Sequence, residues 1–325
     1  MLISDLRVAL IGYGNVGKAF ARLLSQKRGV YPFRIVGIHT ATHGTAYNHR
    51  GVELDPEFGP PAGSVGEFLD RSRPEVVVEI TTLNPQTGEP AITHIRAAIE
   101  RHLHIITSNK GPIAHAYAAL NAEAKLSQVE FRFESTVMDG APVFNTVRNN
   151  LPGLTILGFT GALNSTSKIV VAAMERGLSM TDGIREAQAL GITEAEASHD
   201  IEGWDSAAKA AALANVLMDA RVTPEQVQRR GLGDFTTDQA IALAREGQTM
   251  MLLSKGERTG GTVRLEVKPE VIAQTDMLAT AKGTSNLLLF HTDLMGTIGT
   301  VSINPGVEQT AYGLFIDLVD VARSI

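Results

Sequence analysis

The 325-residue chain contains no cysteine. Disulfides, thiolate metal sites and cysteine nucleophiles are thereby excluded, and with them aldehyde oxidation through a thioester. An excess of positive charge is also lacking. Lys and Arg number 29 against 35 Asp and Glu, a formal charge of −6, so electrostatics give no reason to expect nucleic acid or acidic lipid as a partner. No apolar run reaches 18 residues, so no segment is expected to span a bilayer. The start, Met1 to Asp5, lacks a basic region and leads straight into a strand. No signal peptide is therefore expected, and the protein is expected to be cytoplasmic. Low-complexity tracts and internal repeats are absent too.

What remains is the composition of an ordinary globular protein, 44% hydrophobic and 20% charged, long enough for two domains. The first 135 residues alternate strand and helix patterns. Strands are expected at Leu6 to Ile11, Phe33 to Ile38, Glu75 to Ile80, Leu103 to Thr107 and Val129 to Glu134, with helices near 15–27, 89–101 and 114–125. Such alternation implies right-handed βαβ units and a parallel sheet covered on both faces. After about Pro152 the character changes. A strand near 154–161 is followed by helices near 165–176, 181–190 and 206–218, strands at 262–267, 287–292 and 297–303, and a last helix at 309–323.

The segment Val8 to Gly17 reads as strand, glycine turn and helix start. Gly12 makes the tight turn, Gly14 lets the backbone approach a pyrophosphate, and Gly17 lets helix and strand pack closely. The N–H groups of Asn15 and Val16 open the helix toward the phosphates. This is the pattern of a Rossmann-type nicotinamide dinucleotide site. Preference for NAD over NADP usually shows as Asp or Glu at the end of the second strand. Here that strand runs out as His39-Thr40-Ala41-Thr42-His43, with no carboxylate. Thr40 is expected among the cofactor-binding residues, and His43, His49 or Arg50 are candidates to approach a 2′-phosphate. NADP is favoured over NAD, with Arg50 the first choice of partner. Thr81 and Thr82, after the third strand, are expected near the nicotinamide ribose.

Further along, Asn109-Lys110-Gly111-Pro112, Glu134-Ser135-Thr136-Val137, Gly191-Ile192-Thr193-Glu194, Asp200 to Lys209 and Pro305-Gly306…Thr310-Ala311 follow in fixed order. In that order and spacing the chain resembles the homoserine dehydrogenase family over nearly its whole length, and most specifically from Glu194 to Lys209. It resembles the short form, with neither an aspartokinase partner nor a C-terminal regulatory domain. The resemblance implies hydride transfer between homoserine and aspartate 4-semialdehyde with NADP or NAD, in threonine and methionine biosynthesis, by a homodimer. It also implies an α/β fold in two parts. A dinucleotide-binding domain over 1–140, completed by a helix over 305–325, precedes an α+β catalytic and dimerisation domain over 141–304.

The resemblance further implies that Lys110 and Lys209 handle the proton and polarise the carbonyl, Lys110 lying also beside the cofactor, with Asp205 orienting Lys209. Which lysine moves the proton stays open. Glu194 would bind the substrate ammonium, and Asp200, Asn164, Ser165 and Thr166 would line the same pocket. By themselves, Asp205 and Lys209 have i,i+4 spacing and read equally as a surface ion pair worth about 0.3–0.5 kcal/mol. Lys209 lies, however, inside Ala207-Ala208-Lys209-Ala210-Ala211-Ala212, and small neighbours suggest close packing, where a lysine needs a reason. A desolvated lysine has a lowered pKa and can act as acid or base.

The chain departs from the family in places. Ser165 stands where a glycine is usual, Lys168 adds a charge, and Ile192 stands where the family has a tyrosine. A glycine-rich stretch becomes Met138-Asp139-Gly140. In the family that loop holds a monovalent cation such as Na+ through oxygens here belonging to Glu134, Val137, Asp139 and Ala141. These changes leave room for two other readings: a dehydrogenase for a different amino alcohol or hydroxy acid, and a dinucleotide sensor without turnover.

Overall fold

The structure, a computed structural model, describes residues 5–193 and 197–325. The chain forms two units, one of residues 1–144 with 306–325 and one of residues 145–305. The first stretch of the first unit therefore ends at Phe144.

In the first unit the order is β1 (Leu6–Ile11), α1 (Asn15–Lys27), β2 (Phe33–Thr40), β3 (Gly44–Tyr47), α2 (Val65–Ser72), β4 (Val76–Glu79), α3 (Ala91–Ile99), β5 (His104–Thr107), α4 (Lys110–Leu126) and β6 (Phe131–Arg132). Helix α5 (Phe144–Asn150) begins at the boundary. The sheet runs β3-β2-β1-β4-β5-β6. Every neighbour is parallel except β3, which turns back antiparallel on β2. β-branched strands such as Val76-Val77-Val78 are buried on both faces, the signature of a sheet covered by helices.

One face of this sheet is packed by α1 and by the C-terminal helix, whose Leu314, Phe315, Leu318, Val319 and Val321 join Phe20, Leu24, Val8 and Leu10 in one core. At roughly 1.5–3 kcal/mol for each large side chain, those five residues contribute about 7–15 kcal/mol of gross burial. On α2 the Phe68 ring meets the rings of His39 and Tyr47. Helix α2 was not expected from the sequence. Ser64 caps it by accepting the Glu67 N–H at 3.1 Å, and Arg73 ends it with a left-handed φ of 48°. Helix α4 starts four residues before the expected 114, because Asn109 caps it through the Gly111 N–H at 3.0 Å. Pro112 then falls in the first turn, where no N–H is needed.

The second unit contains β7 (Ile156–Ala162), α6 (Ser165–Glu175), α7 (Met180–Ala189), α8 (Ser198–Ile201), α9 (Trp204–Leu217), β8 (Gln228–Arg229), α10 (Thr237–Arg245), β9 (Gln248–Thr259), β10 (Thr262–Ala273), β11 (Asn286–Thr292) and β12 (Thr297–Ser302). The C-terminal helix, α11, is Val307–Ser324. The second sheet runs β12-β11-β7-β9-β10-β8, antiparallel save for the short β8 beside β10. The strand expected at 262–267 is half of one arm of a long hairpin, paired from Thr262↔Thr259 to Ala273↔Gln248.

Two histidines of the first unit make its stability sensitive to acid. Burial pushes the His39 ring below its ordinary value of 6.5, and His94 nearby adds to the effect. Burial also lowers His104, outweighing the upward pull of Glu130 and Glu75. His104 Nδ1 accepts the Glu130 N–H at 3.0 Å, a bond that a proton on Nδ1 would break. Both folded values lie below the unfolded one, so on acidification the unfolded chain takes up protons first. The stability is complete above about pH 6.5 and declines as pH falls through the lowered values. The melting temperature should thus drop between pH 7 and pH 5, and less steeply in a His39→Gln/His104→Gln variant. Equal slopes for both proteins would defeat this assignment.

Candidate functional site

At the first site, β1 delivers the chain into the turn at Gly12, which has a φ of 105°. The Gly12 N–H donates to the His39 carbonyl at 2.8 Å. A Cβ at Gly12 would lie 2.5 Å from the Ile80 carbonyl oxygen, so only glycine fits against this neighbouring peptide. Gly14 is the N-cap of α1, with no side chain bonded to the helix end and no acidic residue in the first turn. A Cβ built at Gly14 meets nothing within 4 Å. The first turn of α1, Asn15 and Val16 included, therefore presents main-chain N–H groups and the positive end of the helix dipole toward open space. Gly17 sits 3.0 Å, measured from its would-be Cβ, from the Ile80 side chain, which brings α1 close to the end of β4. A dinucleotide pyrophosphate fits this cradle.

Around it, Tyr13 donates its hydroxyl to the Leu54 carbonyl at 2.7 Å and sets its ring edge-on to Phe58, which in turn faces the His43 ring. Burial, with Asp55 next in effect, raises the Tyr13 phenol above its ordinary value, so the group stays protonated. Thr40 is buried, and its hydroxyl closes the β2–β3 turn by accepting the His43 N–H at 2.8 Å and donating to the Gly44 carbonyl at 3.3 Å. Arg50 is exposed on the loop after β3. Thr81 and Thr82 lie in the loop after β4, where their carbonyls accept the Asn109 amide at 3.2 and 3.5 Å. Lys110 is half-buried as the first residue of α4. A cation at the positive end of a helix is electrostatically disfavoured by about 0.3–1 kcal/mol, so its placement there points to use rather than to support of the helix.

The loop after β6 also belongs to this unit. Glu134 is buried, and its Oε1 accepts the N–H groups of Val143 and Phe144, while its own N–H donates to Asp317 at 2.8 Å. Asp139 has a φ of 57° and lies 3.4 Å from the Thr310 hydroxyl. The Ala141 N–H closes a turn on the Met138 carbonyl. Among the described residues, no three His, Asp or Glu side chains gather to hold a metal. A hard cation at this loop would rest on main-chain oxygens such as those of Val137, Asp139 and Ala141.

In the second unit, the end of β7, the start of α6 and the start of α9 converge on a polar cluster. Asn164 caps α6 by accepting the Ser167 N–H at 2.8 Å, and its amide donates to Asp200 at 2.7 Å and to Asp205 at 3.3 Å. Asp200 also accepts the hydroxyls of Thr166 at 2.9 Å and Thr193 at 2.7 Å. Asp205, in the first turn of α9, pairs with Lys209 at 3.0 Å, and Lys209 donates to the Leu163 carbonyl at 2.6 Å. Their side chains are only 18% and 15% exposed. The surface ion-pair reading of the i,i+4 spacing does not hold, because alanines on α9 let the helix sink into the unit and take the lysine with it.

The sequence thus pointed to five residues that the structure gathers: Asn164, Thr166, Asp200, Asp205 and Lys209. Three donors converge on the Asp200 oxygens, so it fixes Asn164 and Thr166. Ser165 turns its hydroxyl to the Thr284 carbonyl at 3.4 Å. Glu194 lies outside the described residues. Thr193 was not anticipated as a partner of Asp200, and a lone loop threonine carries no signal that would have found it. Lys168 is buried, and its ammonium donates to the Ser285 carbonyl, to Asn286 Oδ1 at 3.1 Å and to the Ala162 carbonyl at 3.4 Å. Its charge is directed at the segment before β11.

Comparison with known proteins bears on both units. A family model described as homoserine dehydrogenase matches residues 142–319, and one described as homoserine dehydrogenase, NAD binding domain, matches residues 12–134. An NAD(+)-dependent homoserine dehydrogenase of Pseudomonas canavaninivorans is 31% identical over 99% of this chain and 97% of its own. A homoserine dehydrogenase of Methanocaldococcus jannaschii is 32% identical, covering 98% of each chain. Among solved structures, a homoserine dehydrogenase from Thiobacillus denitrificans superposes with a TM-score of 0.83 at 27% identity, over 98% of this chain and 74% of that one. A hyperthermophilic archaeal homoserine dehydrogenase in complex with NADPH shares the fold, with a TM-score of 0.84 at 24% identity over 99% of both chains.

Proposed function

The chain belongs to the homoserine dehydrogenase family, and from that premise we infer that it interconverts L-homoserine and L-aspartate 4-semialdehyde with a nicotinamide dinucleotide. The observation that carries the reading is the sunken Asp205–Lys209 pair, set among Asn164, Thr166 and Asp200. A bound dinucleotide supplies the hydride for the aldehyde carbon in one direction and accepts it from the alcohol carbon in the other. The remaining task is to hold the substrate and move one proton. In the reducing direction Lys209 gives that proton from Nζ to the carbonyl oxygen, and Asp205 with the Leu163 carbonyl aims the ammonium group. Lys110, half-buried at the start of α4, is the second proposed catalytic lysine and the one beside the cofactor. Glu194 receives the substrate ammonium, and Asn164, Ser165 and Thr166 line the pocket at positions that Asp200 fixes.

Absorbance at the nicotinamide band during incubation with homoserine and each cofactor tests this. Turnover with homoserine is expected. A tenfold preference for another amino alcohol, about 1.4 kcal/mol in transition-state binding, would overturn the substrate assignment. The argument for a different substrate rested on Ser165 and Lys168, and both side chains bond to residues 284–286 or to Ala162.

NADP is our proposed cofactor. In its favour are the lack of a carboxylate at residues 40–43, the exposed Arg50, and the Tyr13–Phe58–His43 row that brings His43 toward the glycine turn. The relatives differ in the cofactor they are named with, NAD(+) for the Pseudomonas protein and NADPH for the archaeal one. Arg50→Ala should lower kcat/KM with NADP at least tenfold, as loss of one charge-assisted bond of about 1.5–3 kcal/mol implies, and change that with NAD less than twofold. Equal losses with both would remove Arg50 from the site.

Three further assignments complete the proposal. A monovalent cation such as Na+ rests on carbonyls of Val137, Asp139 and Ala141 near the buried Glu134, and turnover that ignores exchange of Na+ for a large organic cation would remove it. The protein is cytoplasmic; no helix among the described residues is long and apolar enough to cross a membrane. It is a homodimer through the second unit, where edge strand β12 and its flanks expose Leu294, Met295, Val301 and Ile303. A monomer in sedimentation at micromolar concentration would exclude that assembly.

A further inference from the structure

Glu79, the last residue of β4, is fully buried. Its Oε1 accepts both the N–H of Thr81, at 3.0 Å, and the Thr81 hydroxyl. Its Oε2 accepts the Thr107 hydroxyl at 2.8 Å. Thr107 ends β5, and its oxygen accepts the Asn109 N–H at 2.9 Å, so its own proton is committed to Glu79. Asn109 then returns to the first loop by donating its amide to the Thr81 carbonyl at 3.2 Å, while its Oδ1 caps α4 through the Gly111 N–H. The bonds close a ring, Glu79 to Thr81 to Asn109 to Thr107 and back. That ring joins the two loops that leave β4 and β5.

What the ring holds is more than its own members. The three atoms that a Cβ on Gly12 would meet first are the Ile80 oxygen, the Ile80 carbon and the Thr81 nitrogen. The Ile80–Thr81 peptide is therefore the wall against which the first glycine of the nucleotide turn packs, and Glu79 fixes the N–H of that same peptide. On its other side the ring ends at the cap of α4, immediately before Lys110. A parallel sheet binds ligands at the carboxyl ends of its strands, where Glu79 and Thr107 stand. A carboxylate suits the place because only acceptor oxygens face the three donors, whereas an amide would turn an N–H2 group toward one of them.

We propose that Glu79 is a positioning residue for the dinucleotide: through the Thr81 peptide and the Thr107–Asn109 link it sets the spacing between the Gly12 turn and the start of α4. The inference rests on the dehydrogenase reading above. Its test is direct binding, measured as dinucleotide Kd by fluorescence titration, beside steady-state KM values and thermal melting. In Glu79→Gln the dinucleotide Kd and KM should rise at least tenfold, with the homoserine KM changed less than twofold. Thr107→Val, a milder cut in the same ring, should act in the same direction. The double variant should fall short of the product of the two single effects, because both open one ring.

An unchanged Kd in folded Glu79→Gln overturns the proposal. So does a loss that falls equally on cofactor and homoserine and follows the folded fraction, which a purely structural role would give. If Glu79→Gln does not fold, Thr107→Val decides: an unchanged Kd in that folded variant overturns the proposal, and a raised dinucleotide Kd upholds it. A wild-type protein that binds dinucleotide yet leaves homoserine untouched would sink the substrate assignment, while the Kd comparison would still judge Glu79.

Discussion

Lys209→Met should leave kcat for homoserine oxidation at about a thousandth of the wild-type value while the dinucleotide Kd changes little. General acid–base catalysis contributes about 10²- to 10⁴-fold, and Lys209 is the group proposed to carry the proton. The substitution also takes the cationic partner from Asp205, whose side chain is 18% exposed. Removing one partner of a buried ion pair costs roughly 3–5 kcal/mol, so lowered stability will accompany the kinetic loss. The variant Asp205→Asn/Lys209→Met separates the two effects. It removes the Asp205 charge as well, so the melting temperature should recover toward wild type while turnover stays low. Recovery of turnover along with stability would show that Lys209 supports the fold and does not move the proton.

The second large effect is expected at the glycine turn, where two neighbouring positions should behave differently. Gly12→Ala forces a side chain into a φ of 105° and to within 2.5 Å of the Ile80 oxygen. Backbone strain of this kind costs about 1–3 kcal/mol, and the turn must shift. Dinucleotide binding should weaken about a hundredfold, about 2.7 kcal/mol, and the melting temperature should fall. Gly14→Ala meets nothing within 4 Å, so the protein should melt as wild type does. Its new methyl group nonetheless occupies the space a pyrophosphate needs, and binding should weaken there as well. Retained affinity in a normally melting Gly14→Ala protein would place the phosphates elsewhere.

The parallel sheet was legible because its strands are short apolar runs and three of the four intervals between the expected strands hold a readable helix, and the glycine turn because its spacing is a backbone requirement. The same logic failed where periodicity is masked. Strand β9 carries Ser254, Lys255, Glu257 and Arg258 among its apolar residues, and its partner β10 carries Arg264, Glu266, Lys268 and Glu270. Cross-strand ion pairs such as Lys255–Glu270 at 2.7 Å stabilise this hairpin, and such pairing is invisible until the register is known. Helix α2 was hidden by its brevity and by the Gly and Pro residues before it.

At the site, local spacing was enough to bring Asp205 and Lys209 together, since i,i+4 residues share a helix face. The burial of that pair was less visible, hinted at only by the alanines around it. Contacts across many residues left no trace in the sequence. Glu79 reads as an acidic end to a strand, and nothing nearby announces Thr107, 28 residues away. Lys168 looked like a charge added to a substrate loop, and only the fold shows that its ammonium bonds to residues more than a hundred positions on.

The return of helix α11 to the first unit has a consequence for the nascent chain. Residues 145–305 must be synthesised between the two pieces of that unit, which at about 5–20 residues per second takes roughly ten to thirty seconds. During that interval the sheet of β1 to β6 waits on the ribosome with Val8, Leu10, Phe20 and Leu24 lacking the cover that Leu314 and Leu318 later give them. The second unit is contiguous and can complete its core first. Translation thus reverses the order of the sequence, and the half that starts first is the last to be sealed.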